Sequence, residues 1–202
     1  MTKTVCVLRS GGEFGPDHVR WLARQVPGLH CMSDVHVSGV PNIPLRHRWL
    51  GWWAKMELFR PGPPHDLLYL DLDTVVLGDL APLIDAAGGR TTLLSDFYRP
   101  AQPASGLMYI AHADKAKVWR HWCRSPAGHM ARASTTACWG DQGILRQVLG
   151  DGVQRWQDVA PGQVVSYKAH CRRGVPAGAD VVCFHGNPRP WDAKQSWVPP
   201  LC

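Results

Sequence analysis

Residues 67–74 read LLYLDLDT, an unbroken apolar run that ends in two aspartates one residue apart. Taken from Asp66, the run has the continuous apolar centre of a strand covered on both faces, which places it inside a layered α/β fold. In an extended chain residues i and i+2 share a side. Asp71 and Asp73 therefore converge while Leu72 faces the core. Two adjacent carboxylates raise each other's pKa unless a cation lies between them. A hard divalent ion relieves that conflict and also binds diphosphate oxygens. Asp-x-Asp by itself is a common solvated turn; its place directly after LLYL sets this one apart.

The rest of the chain alternates in the same manner. Residues 3–9 predict a buried first strand and 10–16 a loop. A helix follows, capped by Asp17, with Val19, Leu22, Ala23 and Val26 at helical spacing, and Pro27-Gly28 stops it. A second strand is expected within 29–37, irregular chain over 40–45, and a helix over 52–59. Residues 75–77 read as a continuation of the Asp66 strand after a break, and 82–87 as a short helix. Strands are expected at 91–95, 106–111 and 181–184, and helices at 114–123 and 141–149. A tail rich in Pro and Trp closes the chain. Strands alternating with helices imply a mostly parallel sheet flanked by helices. Ligands then bind beyond the carboxyl ends of the strands, which points to the loops after Arg9 and Leu70.

With 202 residues, 45% of them hydrophobic, the chain suits one domain over 1–202. Its charged fraction of 19% is too low for a disordered chain. The N-terminal apolar run is too short for a secretory signal, and no stretch reaches the ~18 apolar residues that span a bilayer. The seven cysteines, Cys6, Cys31, Cys123, Cys138, Cys171, Cys183 and Cys202, are odd in number and form no CxxC pair. They fit reduced, mostly buried thiols in a cytoplasm better than a disulfide framework or a zinc site. A net charge of +6 either favours anionic partners or is ordinary solubility charge for this length.

Three more segments carry candidate chemistry. In Cys183-Phe184-His185-Gly186-Asn187-Pro188-Arg189, a neutral His185 either completes a metal site begun by Asp71 and Asp73 or is structural, as a lone histidine near a strand end more often is. Mixed N and O ligands suit Mn²⁺ better than Mg²⁺. Gly186 admits a phosphate close to the backbone, and Arg189 neutralises it. In Trp139-Gly140-Asp141-Gln142-Gly143, Asp141 is good helix-start chemistry on its own, whereas Gln142 has no such structural reason. Lys55, within WWAKMELF, reaches a phosphate or snorkels to water.

These segments, in this order, resemble the glycogenin-like glycosyltransferases of family 8. That family's pattern is a nucleotide-holding first strand and loop, a helical lysine, an apolar strand with DxD, an NSG strand, GDQG, and a final HFxGxxKPW segment. The counterparts here are residues 5–10, Lys55, YLDLDTVVL, Ala104-Ser105-Gly106-Leu107, GDQGIL and FHGNPRPW, spanning 5–191. The resemblance implies a GT-A fold, a Rossmann-like α/β domain, together with a UDP-sugar donor, Mn²⁺ and retention of anomeric configuration. It assigns the metal to Asp71, Asp73 and His185, and the nucleotide to Leu8, Arg9 and Ser10. Lys55 and Arg189 take the diphosphate or donor sugar. Leu72, Ser105, Gly106 and Gly186 complete the donor contacts, and Asp141 and Gln142 bind sugar hydroxyls, with Gln142 near the anomeric carbon. Ungapped alignment on Gly186 sets Cys183 at the family's metal-histidine position. His185 is taken as the ligand because it adjoins the glycine and because sulfur suits a hard ion poorly. Ala104 stands for the asparagine of NSG, and Arg189 for a lysine, with changed geometry.

Short transferases of this look are familiar from bacterial viruses. A DNA acceptor carrying a hydroxymethyl pyrimidine follows as one reading, in the host cytoplasm, with Trp49, Trp52 or Trp53 stacking on a flipped base. At least two of these tryptophans are expected in the core. A saccharide or lipid-linked acceptor of surface-polysaccharide synthesis is the second reading, with no basic amphipathic tail to anchor the chain on a membrane. A non-catalytic nucleotide- or nucleic-acid-binding module and a metal-dependent phosphatase or nuclease are the alternatives of other classes.

Overall fold

The computed structural model describes residues 2–135 and 138–201; Cys202 lies outside them. In chain order the elements are β1 (Thr2–Leu8), α1 (Pro16–Gln25), β2 (His30–Ser33), β3 (Asn42–Pro44), a 3₁₀ segment (Gly51–Phe59), β4 (Asp66–Leu70), β5 (Thr74–Val76), α2 (Ala81–Ala87), β6 (Thr92–Ser95) and β7 (Pro103–Ile110). There follow α3 (His112–Cys123), α4 (Pro126–Arg132), β8 (Ser134–Thr135), β9 (Cys138–Trp139), α5 (Gly140–Leu149), β10 (Gln154–Arg155), α6 (Trp156–Val159), β11 (Val164–Ser166), α7 (Tyr167–His170) and β12 (Val181–Cys183).

The main sheet runs β10-β6-β7-β4-β1-β2-β3. Four of its six pairings are parallel, and β7 runs antiparallel between β4 and β6. Alternation along the central strands explains the layering. Leu68 and Leu70 enter one apolar cluster with Cys6, Leu8, Trp21 and Leu22, while Leu67 and Tyr69 enter a second with Val5, Met56, Phe59 and Trp122. Successive side chains of a strand point to opposite faces, so β1 and β4 are sandwiched between α1 and the C-terminal segments on one side and the 3₁₀ segment, α3 and α5 on the other. Each fully buried leucine here contributes about 1.5–3 kcal/mol.

Several sequence expectations need correction. Gly15, not Asp17, is the N-cap of α1, with Pro16 opening the helix and Asp17 inside its first turn. Residues 40–45 contain β3, whose flanking prolines are tolerated because it is an edge strand. The 52–59 segment is 3₁₀ rather than α-helical; its i, i+3 side chains eclipse, which puts Trp52 and Lys55 in one row. Residues 74–76 do not continue β4. The chain leaves the main sheet after Leu70, turns over 71–73, and enters a second sheet of order β11-β12-β5. Trp49 and Trp53 pack on the second cluster, whereas Trp52 is 49% exposed. All six described cysteines are free, four of them buried.

Candidate active site

Where β1 and β4 end, a cavity of about 640 Å³ opens, lined by Leu8, Arg9, Tyr69 and the turn from Asp71 to Asp73. Its walls come from the loop after β1, the row Trp52–Lys55, the middle of β7, the first turn of α5, and the chain after β12. The two loops singled out in the sequence therefore meet in one place. Leu72, in the turn, is buried in the first apolar cluster.

Each carboxylate of the pair is met by a different cation. The Lys55 ammonium lies 2.9 Å from Asp71 Oδ1 and 3.8 Å from Asp141 Oδ2. It also sits 5.5 Å from the centre of the Tyr69 ring. Burial opposes its charge, but Asp141 and Asp71 outweigh that and raise its pKa. Tyr69 donates its hydroxyl to Asp71 Oδ1 from the same side of β4. Arg189 bonds Asp73, and its other nitrogens reach Glu13, with Nε 2.6 Å from Glu13 Oε1. The guanidinium also covers the Phe14 ring at 5.0 Å. Arg189 thus ties the loop after β1 to the turn after β4. Burial, and next the charge of Asp71, push the Asp73 carboxyl up to about 7.

Two glycines border this cluster, of which Gly140 is the constrained one. A Cβ at Gly106 on β7 would lie 3.4 Å from Asp71 Oδ2. Gly140 has φ +57°, and a Cβ there would lie 3.3 Å from Trp52 Nε1. The left-handed turn aims Asp141 inward, where its Oδ2 is buried without a hydrogen-bond partner among the described residues. Gln142 and Ser105 line the same cavity, as do Gly186 and Arg189.

Two assigned residues have partners of their own. Ser10 does not line the cavity. Its backbone N–H and hydroxyl both bond Asp34, at 2.8 and 2.6 Å, and Arg9 pairs with the same carboxylate at 3.3 Å. Ser10 thus braces the loop. His185 lines the cavity but forms no ligand cluster with Asp71 and Asp73; among the described residues no three His, Cys, Asp or Glu side chains are grouped to hold a metal. Its Nε2 lies 2.7 Å from Ser166 Oγ and its ring stacks on Phe97 at 5.7 Å. Burial, with the nearby Lys168 charge, lowers its pKa. Cys183 lines the same cavity and sits opposite Thr74 in the β12–β5 register. Burial first, and then Asp71 and Asp73, raise its thiol pKa. Glu13 and Phe14 carry no local motif. Only the pairing of distant segments reveals them.

No protein-family model and no curated protein sequence matches the chain. Solved structures do. The fold is that of the GT-A glycosyltransferases. An active-site glutamine-to-glutamate mutant of LgtC superposes with a TM-score of 0.63 at 14% identity, over 96% of this chain and 90% of that one. The galactosyltransferase LgtC in complex with donor and acceptor sugar analogues gives 0.62 at 15% identity, over the same shares. The glycosyltransferase GlyE of Streptococcus pneumoniae TIGR4 gives 0.61 at 15% identity, over 96% of this chain and 57% of GlyE. The likeness to each is one of fold.

Proposed function

We propose that the protein is a glycosyltransferase that moves a sugar from a nucleotide-sugar donor, a UDP-sugar, to an acceptor hydroxyl with retained configuration, using a divalent cation between Asp71 and Asp73. The observation that carries this is the meeting of the Asp-x-Asp turn, Lys55, Arg189 and the first turn of α5 in one cavity beyond the strand ends. LgtC and GlyE, which share the fold, are glycosyltransferases, and LgtC has been captured with donor and acceptor analogues.

The charge balance favours a cation. Five carboxylates line the cavity against three Lys or Arg side chains. A diphosphate adds further negative charge, so donor binding calls for a positive ion. Two carboxylates, with substrate phosphates and water completing the shell, are a usual set for a hard ion. Without a histidine the reason to prefer Mn²⁺ over Mg²⁺ falls away, and either fits. Asp71 and Asp73 would hold the ion, which would supply positive charge to offset that of the diphosphate.

The chain's own residues do the rest. Leu8 and Arg9 contact the nucleotide, on a loop that Ser10 fixes through Asp34. Lys55 and Arg189 face the diphosphate, and Gly186 admits it close to the backbone. Ser105, Gly106, Asp141 and Gln142 surround the donor sugar, with Gln142 near the anomeric carbon. LgtC likewise keeps a glutamine in its active site. The bond from the anomeric carbon to the phosphate oxygen breaks with its electron pair on the diphosphate. The acceptor oxygen bonds to that carbon from the same face, and its proton passes to the leaving diphosphate. Free cysteines support a reducing, cytoplasmic setting.

The test is UDP release from UDP-glucose, UDP-galactose and UDP-N-acetylglucosamine with Mn²⁺ or Mg²⁺. Turnover that Asp71→Ala abolishes is the expected result. No UDP release, or release of inorganic phosphate instead, would overturn the assignment. Full activity of Asp71→Ala in EDTA would overturn the role of the cation.

A further inference from the structure

Beside Gln142 a second chamber of about 340 Å³ continues from the donor cavity, lined by Asp96, Tyr98, Arg99, Gln102, Trp139 and Gln142. Its two aromatic residues are among the most exposed large side chains described, Tyr98 at 64% and Trp139 at 52%. Both are nonetheless held in place. Asp96 Oδ1 accepts the backbone N–H groups of Tyr98 and Arg99, each at 2.8 Å. The loop is closed by backbone bonds from Asp96 to Gln102 at 2.8 Å and from Gln102 to Arg99 at 2.7 Å. The Tyr98 ring packs edge-on against His185 at 5.6 Å, and Trp139 lies 6.3 Å from Trp52. A wet aromatic on a preformed loop supplies contact area at little ordering cost.

We propose that this chamber is the acceptor subsite and that it takes a pyranose, so that the acceptor is a glycan. The inference rests on the donor reading above and names what that donor's sugar is moved to. A pyranose has an apolar C–H face for an aromatic ring and hydroxyls around its rim. Tyr98 and Trp139 offer the rings; the carboxamides of Gln102 and Gln142 offer paired donors and acceptors to the rim. Asp96, Tyr98, Trp139 and Gln142 border both chambers, so a sugar seated here has its hydroxyls beside the donor sugar. Duplex DNA meets a poor match. Its affinity comes from many neutralised phosphates, whereas Arg99 is the one Lys or Arg among the residues lining this chamber, and Asp96 lies beside it.

The experiment measures UDP release and product formation with a panel of methyl α- and β-glycopyranosides, and in parallel with an oligonucleotide containing 5-hydroxymethylcytosine. At least one glycoside is expected to accelerate UDP release and to become glycosylated. Tyr98→Ala and Trp139→Ala, which also border the donor cavity, should raise its KM about tenfold and the donor KM by less, and Tyr98→Phe and Trp139→Phe should recover most of the loss. Both side chains are exposed, so the core is untouched. UDP release that no glycoside accelerates, transfer to the oligonucleotide alone, or an unchanged glycoside KM in the alanine variants would each overturn the subsite while leaving the donor reading intact. Absence of UDP release with every donor would remove both.

Discussion

Lys55 places its ammonium 2.9 Å from Asp71 Oδ1, so the first carboxylate of the acidic pair is met by a cation from within the protein. The same ammonium faces Asp141 at 3.8 Å. It is therefore the shared counter-charge of the metal-side and sugar-side acids. Lys55→Met keeps the stem and deletes the charge. It should lower kcat/KM for UDP-sugar turnover by about 100-fold or more, in the range found when one electrostatic stabiliser of a transition state is removed. Steady-state kinetics with saturating cation checks this.

Asp73 titrates near 7 because burial, and then Asp71, disfavour its charge. The folded pKa is thus raised above the unfolded one. For an acid this means that the folded state holds the proton more tightly, so stability falls as pH rises from about 4 to about 7 and levels off above. Thermal denaturation in EDTA should therefore give a steeper loss of Tm across that window for the wild type than for Asp73→Asn. Proton competition also predicts weaker cation binding in the presence of UDP at pH 6 than at pH 8, read by titration calorimetry.

His185 bonds Ser166 and stacks on Phe97, away from the acidic pair. His185→Gln should cost about 1 kcal/mol of stability from the lost contacts. The apparent Mn²⁺ affinity with UDP present, followed by electron paramagnetic resonance, should change less than about twofold. Asp73→Ala should reduce the same affinity by more than tenfold. Equal losses in the two variants would return the histidine to the ligand set.

Glu57 is 1% exposed, and its carboxylate accepts the backbone N–H groups of Arg46 at 3.0 and 2.9 Å and of His47 at 2.7 Å, with Arg60 as its ion-pair partner. It locks the turn that leads into the Lys55 segment. Glu57→Ala leaves those donors and a guanidinium without their acceptor, and should destabilise the fold by about 3–5 kcal/mol in urea unfolding.

The sequence carried the acidic pair, Lys55 and the α5 start because each is local: an unbroken apolar run ending in two acids, a cation among apolar neighbours, a Gly-Asp-Gln turn. The partners of those residues were not legible. Arg189 meets Asp73 across 116 positions and Cys183 reaches the same cavity through the register of β12 on β5. Neither spacing leaves a trace in composition or periodicity. The contact of His185 with Ser166 is silent in the sequence for the same reason, since adjacency to Gly186 says nothing about it. The change of sheet after Leu70 was missed because a break inside an apolar run looks alike whether the chain resumes its old partner or finds a new one. The aromatic chamber left only isolated tryptophan and tyrosine residues in the sequence, and its shape depends on the turn that Asp96 closes.

That change of sheet has a mechanical meaning. Asp71 to Asp73 form the joint where the chain passes from the seven-stranded sheet to the three-stranded one. Whatever draws the two acids together also clamps the small sheet onto the large. Substrate loading at this joint should then register as stiffening of β11 and β12, elements that lie more than 80 residues further along the chain.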